Sequence, residues 1–140
     1  MAEIVVSEEI SGPAMDALQA DFDVCFDPLL WQDKKALTDA LSGAKAIVVR
    51  NQTRVSQELI SGASQLQVIA RAGAGLDNID TAAAAERNIF VTYAPRENSL
   101  AVAELAFGFL LNLARDIPNA HVDTRNGNWN RTRFVGTELS

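Results

Sequence analysis

Two glycines one residue apart, Gly73 and Gly75, stand in the run Arg71-Ala72-Gly73-Ala74-Gly75-Leu76-Asp77-Asn78-Ile79-Asp80, directly after a short apolar stretch. Such spacing lets a backbone turn tightly and aim several N–H groups at one point, a nest suited to a carboxylate or phosphate. A dinucleotide fingerprint is the obvious competitor, and it fails at two positions. The third glycine position is Asn78, and the next apolar stretch ends in Tyr93-Ala94 without an acid for a ribose. The chemistry implied is therefore capture of a small anion. Arg50 and Asn51 follow another apolar run, and Arg71 opens the glycine loop. Guanidinium groups converging on one crevice bind an anionic group through planar, paired donors. The candidate anion site is Arg50, Asn51, Arg71, Ala72, Gly73, Ala74 and Gly75.

Other residue types offer less. His121 is the sole histidine and has no evident acid–base partner, so it reads as a surface residue rather than a catalyst. Cys25 is the sole cysteine, which excludes an internal disulfide, and its apolar surroundings suggest a buried strand residue. No histidine, cysteine or carboxylate cluster has metal-ligand spacing. Glu8 and Glu9 follow the first strand, where a phosphorylated receiver would keep metal-binding acids. That reading needs an aspartate after the third strand, and the residue there is Arg50.

The elements that must position these residues alternate along the chain. Strands are expected at 4–6, 22–26, 46–49, 66–70 and 89–93. Helices are expected at 13–20, 32–41, 56–63 and 81–87, with Gly43 closing the second and Asn88 capping the fourth in a left-handed conformation. Strands three to five are continuous apolar runs, the pattern of a parallel sheet covered on both faces. Right-handed crossovers then give an α/β, doubly wound, flavodoxin-like sheet whose carboxyl edge gathers ligands. From Ser99 to Arg115 twelve of seventeen residues are apolar, and only Glu104, Gly108, Asn112 and Arg115 mark a narrow polar line. A helix apolar almost all round must be buried on several sides, by another domain or another copy of the chain. Residues 119–140 read as a polar connector with Trp129 and Phe134 as isolated anchors.

The bulk composition is that of an ordinary soluble globular protein. The chain has 140 residues, 48% hydrophobic and 21% charged, with a net charge of −6 that disfavours nucleic acid or anionic membrane as a partner. The N-terminus lacks a basic stretch leading into an apolar run, and the apolar run 100–113 is shorter than the ~20 residues of a membrane span. A cytoplasmic location is expected.

Three runs carry a family resemblance: VIARAGAGLDNID (68–80), APRENSLAVAELAFGFLLNLARDIPNA (94–120) and GNWNRTRFVGTEL (127–139), with VVRNQTRV (48–55) as a weaker fourth. In order and spacing they resemble the D-2-hydroxyacid dehydrogenases, most nearly the phosphoglycerate dehydrogenase branch. The resemblance implies an oxidoreductase that interconverts 2-hydroxy and 2-oxo acids with NAD, or NADP. It implies that residues 1–97 are a flavodoxin-like substrate domain, completed by a later return of the chain. Residues 98–140 would be a crossover helix and connector to a Rossmann domain absent from this sequence. Ala72–Gly75 would hold the substrate carboxylate, Arg50 its distal anionic group, and Asn98, Ser99 and Val102 would touch the cofactor. Helix 99–115 would pack in the cofactor domain and at a homodimer interface. The catalytic arginine, glutamate and histidine of the family would lie beyond Ser140, so no catalytic residue is assigned and the chain alone is expected to be inactive. Tyr93, Asn88 and Arg96-Glu97 depart from the family pattern, leaving phosphoglycerate, hydroxypyruvate, glyoxylate and sulfolactate all open. The competing expectation is a free-standing, self-associating module that binds a small anion without catalysis.

Overall fold

The computed structural model describes residues 2–139, which fall into two compact units divided between Glu97 and Asn98. The first unit carries five strands: β1 (Ile4–Val6), β2 (Val24–Phe26), β3 (Ala46–Val49), β4 (Val68–Arg71) and β5 (Phe90–Tyr93). All neighbours pair in parallel, in the order β2-β1-β3-β4-β5. Between them run α1 (Pro13–Asp21), α2 (Lys34–Leu41), α3 (Gln57–Gly62) and α4 (Thr81–Glu86). This is the flavodoxin-like order, with its switch point between β1 and β3.

Side-chain oxygens fix where the helices start. Asp33 accepts from the N–H groups of Lys35 and Ala36 at 2.9 and 3.0 Å, so α2 begins at Lys34 and not at Gln32. Residues Leu30–Gln32 form a separate 3-10 turn before it. Ser56 and Asp80 cap α3 and α4 in the same way. Asn88 has φ 56°, the left-handed cap read from the sequence.

Register decides which strand residues meet the helices. Val5, Ile47 and Ile69 are in line across the sheet and fully buried, packed with Leu37 and Leu41 of α2, Leu59 and Ile60 of α3, and Ala83 and Ala84 of α4. The crossover hand places α1 alone on the opposite face. That face is closed at β1, where Val6 is fully buried, and opens toward the far edge, where Phe90 of β5 is 67% exposed. The apolar runs of strands three to five had suggested cover on both faces. Within the first unit the second face is covered at one end only.

The second unit contains α5 (Ser99–Arg115) and α6 (Ile117–Arg125). Asp116, at φ 48°, makes the turn between them. The expected connector is thus helical in its first part, opened by Pro118 in the first turn, where the missing N–H costs nothing. From within α6, Asp123 gathers the side-chain amides of Asn128 and Asn130 at 3.1–3.3 Å. Trp129 is no anchor: it is 75% exposed, whereas Phe134 is half-buried beneath the Arg133 guanidinium. Residues 136–139 turn back on the end of α5, where Thr137 donates to the Ala114 carbonyl at 2.8 Å. Gly136 permits this, since a Cβ there would lie 2.4 Å from the same carbonyl oxygen.

Candidate functional site

The loops that follow β1, β2, β3 and β4 meet at the carboxyl edge of the sheet. Their centre is Glu8, which is 2% exposed. Its Oε1 accepts from the N–H groups of Arg50 and Thr53 at 2.8 and 2.9 Å, and its Oε2 from Asn51 and Gln52 at 3.0 and 2.8 Å. Four consecutive amides thus converge on one carboxylate. Burial acts to raise the carboxyl's pKa, but the N–H donors of Thr53, Arg50 and Gln52 outweigh it and hold the group below its ordinary 4.5. Beneath it, the buried hydroxyls of Ser7 and Thr53 bond at 2.8 Å and fix the two loops to each other.

Arg71 does not turn toward the crevice as a free cation. Its Nε donates to the Arg50 carbonyl at 2.9 Å, its Nη2 lies 3.5 Å from Asp77, and its side chain is only 9% exposed. It braces the glycine loop against the β3 loop. This also gives the two glycines their reason. Neither has a positive φ; instead, a Cβ at Gly73 would stand 3.0 Å from the Arg71 guanidinium, and one at Gly75 would stand 2.8 Å from Asp77. At Gly73 the neighbour is the arginine itself and at Gly75 the end of the exposed Asp77 side chain, so a left-handed turn is not what sets glycine at either position. Asn78 adds a second tie, donating to the carbonyls of Thr53 at 2.8 Å and Arg50 at 3.3 Å. Its own Oδ1 is buried without a partner.

Two kinds of donor are left for a ligand. The N–H of Ala72 is used by Val49, and that of Gly73 by Arg71, but those of Ala74 and Gly75 have no protein acceptor among the described residues. The guanidinium of Arg50 likewise has no partner among the described residues; the residue lines a cavity of about 380 Å³ with Glu8, Glu9, Pro28, Leu29, Trp31, Asn51 and Gln52. Arg50, Asn51 and residues 71–75 are therefore brought to one edge, with Arg71 as the support and Arg50 as the exposed charge. Asn98, Ser99 and Val102 lie in the other unit, at the start of α5; Asn98 makes no side-chain cap, and Val102 is 57% exposed. His121 is exposed on α6. Sequence reading missed Glu8, which it weighed only as a metal ligand, and it missed Trp31 altogether. An acid directly after the first strand, at the switch point of a doubly wound sheet, was the available signal. No group of acids, histidines and cysteines among the described residues could hold a metal. No described helix is long and apolar enough to cross a membrane.

Replacing Arg71 with methionine, which keeps the apolar stem, is expected to cost about 1.5–3 kcal/mol, the range for a buried charge-assisted hydrogen bond. Urea unfolding followed at β4 amides would show it, together with shifted amide resonances from Gly73 to Asp77. An unchanged midpoint would mean that the brace is incidental.

Known proteins resemble this chain in sequence and fold. Residues 4–138 match the family model of the D-isomer specific 2-hydroxyacid dehydrogenase catalytic domain. The D-3-phosphoglycerate dehydrogenase of Methanocaldococcus jannaschii is 39% identical over 139 residues, which is 99% of this chain and 26% of that protein. A protein of Thermus thermophilus superposes with a TM-score of 0.82 at 29% identity, over 98% of this chain and 45% of its own. The D-lactate dehydrogenase of Aquifex aeolicus, solved with NAD and lactic acid, has a TM-score of 0.84 at 20% identity, over 97% of this chain and 41% of its own. The chain thus spans about a quarter of the first of these relatives and less than half of the two solved structures. With its five-stranded parallel sheet and a match running almost from end to end, the chain belongs to the D-isomer specific 2-hydroxyacid dehydrogenase family.

Proposed function

We propose that this chain is the acid-binding part of an oxidoreductase that interconverts a 2-hydroxy acid and its 2-oxo acid, with NAD or NADP as the partner in hydride transfer. The observation that carries the reading is the pair of unused N–H groups at Ala74 and Gly75, on the same strand-end edge as Arg50, whose guanidinium has no partner among the described residues. Preorganised amides and a guanidinium on one edge suit the carboxylate of a small acid and its far end. The relative from Methanocaldococcus jannaschii is a D-3-phosphoglycerate dehydrogenase, and the D-lactate dehydrogenase of the same fold was solved with NAD and lactic acid; both support a 2-hydroxy acid as the substrate class here.

The described residues do not form a dinucleotide site. The second unit has two helices and no strand, so no glycine-rich strand-to-helix turn can cradle a pyrophosphate. Its contribution to a cofactor is limited to the first turn of α5, at Asn98, Ser99 and Val102. The nicotinamide supplies or accepts the hydride, and a Rossmann domain outside this chain would hold it. This chain's own part is to bind the carboxylate at Ala74 and Gly75 and to set the acid's orientation through Arg50, with Arg71 bracing the glycine loop and Glu8 holding the β3 loop. A histidine to relay the proton is not offered by the site. The 140-residue chain is therefore expected to oxidise no NADH in the presence of 2-oxo acids. It should still show saturable shifts of the Ala74 and Gly75 amide resonances when titrated with a D-2-hydroxy acid. Turnover above the buffer blank would overturn the division of labour, and silent amides would overturn the acid-binding assignment.

The exposed apolar surface of α5 favours a second component of the reading, association with another copy of the chain. The same surface is what a free-standing, self-associating anion-binding module would need. Amide shifts together with self-association, in a protein whose gene encodes no cofactor domain, would favour that module.

A further inference from the structure

The glycine loop closes on a single oxygen. Arg71, at its start, donates from Nε to the Arg50 carbonyl at 2.9 Å, and Asn78, near its end, donates from Nδ2 to the same carbonyl at 3.3 Å. Nδ2 also reaches the Thr53 carbonyl at 2.8 Å. The Arg50 backbone is itself fixed, because Glu8 accepts from the N–H groups of Arg50 and Asn51 at 2.8 and 3.0 Å. Inside the closed span, Gly73 is held at both polar groups: its N–H donates to the Arg71 carbonyl at 2.9 Å, and its carbonyl accepts from Ala94 at 3.0 Å. Ala74 and Gly75 lie between these ties, with N–H groups that meet no protein acceptor among the described residues.

Asparagine is the side chain that this closure needs. Its NH2 group has two hydrogens, one for each carbonyl. Turned over, the carboxamide would set its oxygen against two carbonyl oxygens. The orientation is kept although it leaves Oδ1 buried without a partner, which is costly. The path of the main chain does not depend on it. The Asn78 carbonyl accepts from Val55 at 2.8 Å and the Asp80 N–H donates to the Val55 carbonyl at 2.9 Å, a parallel bridge between Val55 and Ile79 that any residue at 78 could make. What the carboxamide adds is the tie between the loop and residues 50–53.

We propose that Asn78 is a positioning residue for acid binding: by closing the glycine loop on the Arg50 carbonyl, its carboxamide holds the Ala74 and Gly75 amides in the conformation that receives a carboxylate. This rests on the reading of those two amides as the carboxylate site. Asn78 touches no ligand and acts only through the loop. A loop freed at that end samples other conformations, and the apparent affinity falls by the fraction of time it spends in the competent one. Preorganisation of this kind lowers the cost of binding without adding a contact.

D-lactate is the probe, since its single carboxylate calls on the two amides without a charge at the far end. It is titrated into the 140-residue chain at near-neutral pH and followed through the Ala74 and Gly75 amide resonances. Asn78→Ala is expected to weaken binding by about fivefold to tenfold, the effect of a loop competent for about a fifth to a tenth of the time. Asn78→Asp keeps the shape but turns the donor into an acceptor, and should weaken binding at least as much. In the unliganded Asn78→Ala protein the Gly73 amide should exchange with solvent faster, while the amides of Val55 and Asp80 keep their protection. Wild-type affinity for D-lactate in Asn78→Ala or in Asn78→Asp, whatever happens to the unfolding midpoint, confines Asn78 to stability and overturns the proposal. Weaker binding accompanied by lost protection at Val55 and Asp80 overturns it too, since the fold and not the loop would have given way. Wild-type Ala74 and Gly75 amides that stay silent toward D-lactate sink the acid-binding reading itself.

Discussion

Glu8→Gln is expected to lower the unfolding free energy of the first unit by about 2–4 kcal/mol at neutral pH, more than any other isosteric change on this edge. The carboxylate accepts four N–H bonds between 2.8 and 3.0 Å, two at each oxygen. Glutamine keeps the shape but offers one acceptor oxygen. Its NH2 group must face two of the four amides, donor against donor, in a place that is 2% exposed. Leaving buried donors unpaired costs more than the bonds were worth net. Trp31 fluorescence in the Trp129→Phe background, followed through urea unfolding, isolates this unit from the helices of the second. Glu8→Asp should recover part of the loss, because a shorter carboxylate still offers four acceptor sites.

The same group gives the first unit part of its acid sensitivity. The amide donors hold the folded carboxyl's pKa below the ordinary 4.5 of the unfolded chain. A depressed folded value means that the unfolded state binds the proton more readily, so stability falls as pH falls. Glu8's contribution is complete above about pH 5 and disappears as pH drops through the lowered folded value. The stability difference between wild type and Glu8→Gln should therefore be flat from neutral pH down to about 5 and shrink below 4.5. A difference that persists unchanged into strong acid would show that the charge of Glu8 is not what holds the β3 loop.

What could be read from residues alone follows from the range over which each feature is decided. Apolar runs mark strands because a parallel sheet must bury them, and β1 and β3 fall on the residues read from sequence. Helix α5 does so at both ends, since its apolar run is long and its neighbours are polar. Local chemistry also announces the Asn88 turn and the starts of α3 and α4. Helix α2 begins two residues later than its pattern suggested, because Asp33 competes successfully for the cap. Helix α6 escaped notice, for Ile117–Arg125 has no consistent apolar face and buries no residue. The site is harder still. Glu8 and its four donors are 42 to 45 residues apart, and only the β1–β3 register brings them together. Arg50 and Arg71 read alike as strand-end cations; the carbonyl of one captures the guanidinium of the other, and that difference of role is purely tertiary.

Helix α5 sets the remaining large effect. Leu105, Phe109 and Leu113 are four residues apart, which places them on one side of the helix, and they are 58, 58 and 84% exposed. No residue of α5 is buried. Apolar side chains of this size gain about 1.5–3 kcal/mol each when buried, so a stripe of three, doubled across a twofold axis, favours association strongly. The 140-residue chain is expected to elute in light scattering at twice its 15.1 kDa mass. Phe109→Glu together with Leu113→Glu should return it to a monomer, because each symmetric contact would then bury a carboxylate without a partner. A loss of even 3–4 kcal/mol weakens a dimer by about two to three orders of magnitude in Kd. Helical circular dichroism should be unchanged, since both substitutions lie within a helix and glutamate is a good helix former. A wild-type monomer at micromolar concentration would refute pairing through α5. A dimer that survives both substitutions would place the self-contact elsewhere, and the edge strand β5, where Phe90 and Tyr93 are both exposed, would be the next surface to test.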